Sequence, residues 1–159
     1  PTLAETLRLA ASWNIKVNIE LKTGIYCYPG IEEKVVEIVR KEGMADKVFY
    51  SSFNHYSIQK LQRLAPNAET AYLFADVMLN VSDYARKSGV NALHPALYHI
   101  NHPEFWEECK NSGLPLRIWT VDNKTDLEML FHSGAAAVFT NKPDVAVNVR
   151  QSCIKSSGN

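Results

Sequence analysis

Apolar and polar positions alternate along this chain in two distinct periods. Stretches with a period of two, or short continuous apolar runs, predict β-strands, and segments with helical spacing lie between them. In the first such stretch, Val17, Ile19 and Leu21 lie on one face, and polar residues lie on the other. The predicted strands are 17–22, 47–53, 70–74, 90–93, 116–121 and 136–140.

Helix signals precede the first strand and follow each strand. Thr2 and Glu5 have the spacing of a capping box at the start of the first helix. Asn54 is a predicted N-cap, and Gly43 and Gly113 are C-terminal stops. The later helices are predicted over 31–42, 55–64, 82–88, 102–112, 124–133 and from 143 onward. Strands separated by single helices indicate parallel pairing through right-handed crossovers.

Two architectures fit this alternation. An open doubly wound sheet usually carries a glycine-rich turn after its first strand, and the segment Leu21–Gly24 has no such motif. A barrel allows polar side chains inside, near the carboxyl ends of its strands. The predicted fold class is α/β, a TIM-type (β/α)8 barrel that is incomplete, with six βα units and the first two missing. This domain is predicted over 1–151, followed by a tail over 152–159.

Composition adds limits to this picture. A hydrophobic content of 46% suits one globular domain with a real core. The 17 basic residues balance the 17 acidic ones, so nothing predicts a nucleic-acid partner, and a small-molecule substrate is the expected ligand. The chain shows no apolar run near the roughly 20 residues of a membrane helix. The sequence does not indicate an oligomeric state.

Cysteine usage bears on the compartment. Cys27, Cys109 and Cys153 are odd in number, far apart and without metal-ligand spacing. This pattern favours a reducing environment, and a cytoplasmic location is the prediction. The chain opens at Pro1 and not at Met, so a leader or membrane segment upstream stays open.

The carboxyl ends of the predicted strands carry the candidate chemistry. Glu20 and Lys22 emerge on one face of the first strand, where a barrel would place a hard cation or a phosphate. The alternatives are an ordinary surface strand and a structural Glu-Lys pair. His94 is a candidate for ligand contact or proton transfer, against a structural histidine. From the pattern alone, Phe53 and Trp119 are expected in the barrel core more often than in a ligand wall, which stays the alternative. The other histidines, His55, His99, His102 and His132, are expected to be solvated.

Several segments, taken in order, resemble the glycerophosphodiester phosphodiesterase family. They cover nearly the whole chain, and their shared order and spacing carry the resemblance. The segments are Pro1-Thr2-Leu3 at the start of a helix, Asn18-Ile19-Glu20-Leu21-Lys22, Tyr28-Pro29-Gly30, Ser51-Ser52-Phe53, Ala92-Leu93-His94-Pro95, Trp119-Thr120-Val121 and Thr140-Asn141-Lys142-Pro143-Asp144.

The resemblance implies a barrel enzyme that hydrolyses glycerophosphodiesters to glycerol 3-phosphate and an alcohol. It implies a divalent metal, Ca or Mg, held by three carboxylates that include Glu20. The resemblance implies that Lys22 contacts the phosphate as a catalytic residue. It also implies that Phe53 and Trp119 form part of the wall around the substrate. His94 completes the predicted substrate-binding set.

Departures from the family pattern limit this interpretation. The family's other two metal carboxylates and its two acid-base histidines, one in a His-Arg pair, belong to βα units that this chain lacks. Asp122 stands where the family often has asparagine, and Asn123 is the alternative for that role. The hypothesis is therefore an active parent protein and an inactive isolated piece. Two rivals stay open: a phosphatidylinositol-phospholipase-like phosphodiesterase and a non-catalytic barrel that binds a phosphorylated ligand.

Overall fold

The computed structural model describes residues 1–156, and side chains as far as Ile154. Contacts divide the chain into two compact units, each described by itself. The first unit comprises Pro1–Leu73 and Ala85–Ala92, and the second comprises Phe74–Tyr84 and the chain from Leu93 onward. Six strands alternate with α-helices within the described residues, in the predicted order.

The first unit is built on three parallel strands. Its elements are α1 (Leu3–Ser12), β1 (Val17–Glu20), α2 (Ile31–Lys41), β2 (Val48–Ser52), α3 (His55–Leu64) and β3 (Glu69–Phe74). The register places Glu20 beside Ser51 and Ser51 beside Ala71, so their side chains share one face of the sheet. Tyr50 and Tyr72 lie on the opposite face and are buried. The apolar stripe of α3, with Ile58 and Leu61, is fully buried.

The second unit contains shorter strands. Its elements are β4 (Ala92–Pro95), α5 (Pro103–Ser112), β5 (Arg117–Ile118), α6 (Lys124–Ser133), β6 (Ala137–Val138) and α7 (Pro143–Ser156). The helix α4 (Val81–Lys87) is divided between the two units. β5 and β6 are parallel, and isolated parallel bridges join Leu93 to Leu116 and Ala96 to Trp119.

The helix ends follow the sequence signals. Glu5 N–H donates to Thr2 Oγ1 at 3.3 Å, and Thr2 N–H donates to Glu5 Oε2 at 2.7 Å, so the capping box is formed. Asn54 caps α3 through Tyr56 N–H. Gly113 follows α5 with φ 73°, a left-handed conformation that glycine adopts without a steric penalty.

Other boundaries differ from the prediction. The predicted strand 116–121 is regular over two residues only, although Val121 N–H still donates to Phe139 O at 2.8 Å. Beyond these two residues, single hydrogen bonds join the segment to its neighbours and do not form the continuous ladder of a regular strand. The helix α7 continues to Ser156, so the boundary predicted after residue 151 falls inside it. Residues 157–159 lie outside the described part of the chain.

Two findings concern the environment of the chain. None of the helices within residues 1–156 is both long and apolar enough to cross a membrane. Cys27, Cys109 and Cys153 form no disulfide within the described residues, and Cys27 is exposed whereas the other two are buried. The cytoplasmic location stays a prediction.

Candidate functional site

Glu20 and Lys22 form an ion pair at the carboxyl end of β1. Lys22 Nζ donates to Glu20 Oε1 at 2.8 Å, and the side chains of Lys22 and Glu20 are 80% and 28% exposed, respectively. The structure therefore brings together the two residues that the sequence predicts as a functional pair. An ion pair this exposed contributes little to stability, so Lys22 can leave Glu20 at small cost.

Buried oxygen atoms lie next to Glu20 on the same face. Ser51 is its register neighbour on β2, and Asn18 precedes it by two residues on β1. Ser51 Oγ and Asn18 Oδ1 are buried, and neither makes a hydrogen bond within the described residues. A buried polar atom normally has a partner, so this face is suited to a polar ligand.

The backbone around Lys22 is held by the connection between β2 and α3. Ser52 Oγ donates to Leu21 O at 2.6 Å, and Asn54 Nδ2 donates to Thr23 O at 3.2 Å. Leu21 N–H donates to Ser51 O at 2.9 Å. The residues on both sides of Lys22 are therefore fixed, while its own side chain is exposed.

The described residues do not form a complete site for a divalent cation. Ca²⁺ and Mg²⁺ take six or more oxygen ligands. Residues 1–156 contain no cluster of three or more His, Cys, Asp or Glu side chains able to hold a metal ion. Glu20 supplies a carboxylate whose Oε1 already accepts from Lys22. The described residues therefore offer one carboxylate to a metal ion here, which is fewer ligands than a complete site needs.

Phe53 directly follows β2, and its side chain is 45% exposed. It therefore lies at the carboxyl end of the strand that neighbours β1. Its contact with a substrate stays a prediction.

His94 and Trp119 lie together in the second unit. Trp119 Nε1 donates to His94 O at 2.7 Å, and the His94 ring lies 5.1 Å from that of Phe139. The His94 side chain is fully buried. This burial, with a smaller contribution from Arg117, lowers the pKa of His94 to about 3. The imidazole is therefore neutral near pH 7 and lacks the imidazolium form that serves as a general acid.

Stability is expected to depend on pH through His94. Its folded pKa of about 3 lies below the unfolded value, so the unfolded chain binds more protons at low pH. The contribution of neutral His94 to the free energy of unfolding is complete above about pH 6.5 and is lost as pH falls towards 3. At pH 4.5 the loss is about 3 kcal/mol. Urea unfolding at pH 7.5 and pH 4.5 measures it. In the variant His94→Gln, the free energy of unfolding should fall less between pH 7.5 and pH 4.5. The variant His102→Gln, at an exposed histidine, should show the same fall as wild type. An equal change in the free energy of unfolding in all three proteins would contradict the prediction.

Asp122 and Asn123 both serve local structure. Asp122 accepts hydrogen bonds from Asn141 N–H at 2.7 Å, Asn141 Nδ2 at 2.8 Å and Thr140 Oγ1 at 3.0 Å. The bonds from Asn141 contribute most to a lowered pKa of Asp122. Asn123 Oδ1 accepts from Thr125 N–H and caps α6. The structure thus gives both positions a role that the sequence leaves open.

The expectation of solvated histidines is wrong at two positions. His99 is fully buried, with Nδ1 2.9 Å from Ala96 O and Nε2 3.1 Å from Asp76 O. His55 is half-buried and stacks on Tyr72 at 3.7 Å, and this burial lowers its pKa. Each ring contacts a backbone carbonyl, a partner that sequence spacing does not reveal. His102 and His132 are exposed, as expected.

Comparisons with known proteins identify the family of this chain. The sequence model of the glycerophosphoryl diester phosphodiesterase family matches residues 1–145. A glycerophosphodiester phosphodiesterase of Caldanaerobacter subterraneus is 36% identical over 149 residues, which are 94% of this chain and 61% of the relative.

Solved structures show the same fold. A glycerophosphodiester phosphodiesterase of Parabacteroides distasonis superimposes with a TM-score of 0.81 at 25% identity, over 96% of this chain and 64% of the other. An Oleispira antarctica phosphodiesterase, solved with the product sn-glycerol-3-phosphate, gives 0.77 at 20% identity, over 98% and 61%. The chain therefore spans about three fifths of the length of such relatives. The predicted fold class, an incomplete TIM-type (β/α)8 barrel, is confirmed.

Proposed function

This chain belongs to the glycerophosphoryl diester phosphodiesterase family, and from this premise we propose that the protein carrying it hydrolyses glycerophosphodiesters to glycerol 3-phosphate and an alcohol. The observation that carries the proposal is the contact between Glu20 and Lys22 at the carboxyl end of β1. Active sites of (β/α)8 barrels lie at this end of the strands.

Lys22 is proposed to act on the phosphate. Its side chain is 80% exposed on a fixed backbone, so the ammonium can reach an oxygen of a bound phosphodiester. Negative charge on that oxygen grows towards the transition state, and a positioned cation stabilises it most there. Lys22 is therefore assigned to the reaction itself as a catalytic residue.

Glu20 is proposed to be one ligand of a divalent cation, Ca or Mg. The remaining ligands and the groups that transfer protons are proposed to lie among other residues, because the described residues assemble no metal site and the His94 side chain is fully buried. A bound cation would supply charge stabilisation at the phosphate. We propose that residues 1–159 alone do not turn over substrate for the same reason.

Phe53, His94 and Trp119 are proposed to contact the substrate. Phe53 offers an exposed apolar face to a glycerol or alcohol group, whereas the fully buried His94 ring presents no such surface, and its contact rests on the resemblance alone. Support for the substrate class comes from the names of the relatives and from the glycerol 3-phosphate in the Oleispira antarctica structure.

A product assay tests the proposed function. The protein that carries this chain is incubated with glycerophosphocholine or phosphatidylinositol, with added Ca²⁺ or Mg²⁺, and the products are quantified. Release of glycerol 3-phosphate from glycerophosphocholine is expected. A cyclic inositol phosphate as the main product would favour the phospholipase-like alternative. Binding of glycerol 3-phosphate without turnover of either compound would favour the non-catalytic barrel.

A further inference from the structure

A buried polar network lies behind the segment that carries Lys22. Thr23 Oγ1 lies 2.7 Å from Ser57 Oγ, and Ser57 Oγ donates to Glu32 Oε1 at 2.7 Å. Lys60 Nζ approaches Glu32 Oε2 at 3.1 Å. Thr23, Ser57 and Glu32 are all buried. These four residues form the Glu32 network, which joins the end of β1 to both α2 and α3.

The charge on Glu32 sets the direction of the hydrogen bonds. Burial raises the pKa of Glu32, but bonds from Ser57, from its own backbone and from Lys60 outweigh burial and leave the pKa below its usual range. An ionised carboxylate only accepts, so the Ser57 proton points to Glu32. The Thr23 hydroxyl must then donate to Ser57 Oγ. Each hydroxyl thus has one orientation, and the side chain of Thr23 is locked.

We propose that Glu32 is a positioning residue for Lys22, acting through Ser57 and Thr23. The inference rests on the proposed function, because Lys22 is the group that acts on the phosphate. Thr23 is bonded covalently to Lys22, and its carbonyl is also held by Asn54. Releasing the Thr23 side chain removes one of the restraints on the backbone next to Lys22, and the ion pair between Lys22 and Glu20 is too exposed to replace it.

The helix α2 provides a matched control at the next residue. Glu33 also pairs with Lys60, with Oε2 2.8 Å from Nζ, but its side chain is 50% exposed. The Ser57 proton goes to Glu32, so Glu33 lies outside the hydroxyl chain that leads to Thr23. Glu32→Ala and Glu33→Ala thus remove the same charge from the same helix and the same partner, but only the first interrupts the network.

Steady-state kinetics of the protein that carries this chain test the proposal. Glu32→Ala and Thr23→Val are expected to lower kcat about tenfold to a hundredfold, with KM changed less than about threefold, since small misplacements of a reacting group cost this much. Glu33→Ala and Thr23→Ser, which keeps the hydroxyl, should stay within about threefold of wild type. Equal losses for Glu32→Ala and Glu33→Ala would overturn the proposal.

A double-mutant cycle separates positioning from a general structural role. In a Lys22→Ala background, Glu32→Ala should cost less than about twofold more, because the group that it positions is gone. If kcat of the double variant falls by the product of the two single-variant factors, Glu32 acts on something other than Lys22.

Amide exchange gives a readout that needs no turnover. The N–H of Leu21 is bonded to Ser51 O, next to the network. Its exchange should be about tenfold faster in Glu32→Ala and within about twofold of wild type in Glu33→Ala. If the wild-type protein hydrolyses no glycerophosphodiester, the proposed function fails, and this comparison alone then decides whether Glu32 holds the segment. Unchanged exchange in Glu32→Ala would reject that as well.

Discussion

Replacing Lys22 by alanine is expected to lower kcat for a glycerophosphodiester about a hundredfold to a thousandfold, with KM changed less than about threefold. In its proposed role the Lys22 ammonium meets a phosphate oxygen whose negative charge grows towards the transition state, so loss of the ammonium should affect turnover more than ground-state binding. Initial rates with glycerophosphocholine, measured over a range of substrate concentrations, separate the two constants.

Lys34→Ala is the matched control for this change. Lys34 is an exposed lysine in the first turn of α2, and its replacement removes the same charge. Its kcat should equal that of wild type. A Lys22 variant that raises KM and leaves kcat intact would show that Lys22 binds the substrate without acting on the reaction.

The variant Glu20→Gln is expected to lose turnover to below about a thousandth of wild type and to bind Ca²⁺ or Mg²⁺ less tightly. The amide keeps the shape of the side chain but removes the charge that a hard cation prefers. Loss of an outer partner of a ligand already costs about 10-fold to 100-fold in affinity, so loss of the ligand should cost more. Calorimetric titration with each metal measures affinity without relying on activity.

The control for Glu20 is Glu37→Gln, at an exposed carboxylate on α2. Metal affinity and turnover should both be unchanged there, and circular dichroism should be the same for both variants. Retention of full metal affinity by Glu20→Gln would remove Glu20 from the ligand set, whatever its effect on turnover.

Local signals in the sequence predicted much of the fold. The alternation at Val17–Lys22 indicated β1, and the capping box at Thr2 indicated the start of α1, because both depend on residues close in the chain. The pair Glu20 and Lys22 was predictable for the same reason, since a strand places residues two apart on one face.

The Glu32 network was not predictable in this way. Its contacts join residues 25 to 34 positions apart through hydroxyl groups that follow no period. In the sequence, Glu32 is an ordinary acid in the first turn of a helix, where acids are common for their effect on the helix dipole. The burial of His99 could not be predicted for a related reason, since its partners are backbone carbonyls.

The ion pair between Lys22 and Glu20 also bears on the order in which ligands arrive. In contact, the two side chains have no net charge, so a phosphodiester anion diffusing towards them experiences little long-range attraction. If Glu20 binds a cation as proposed, the Lys22 ammonium would have to share or leave Oε1, and the site would then carry a net positive charge. On that proposal we expect the phosphodiester to bind after the cation, and the rate at which the phosphodiester binds should fall as added salt screens the positive charge.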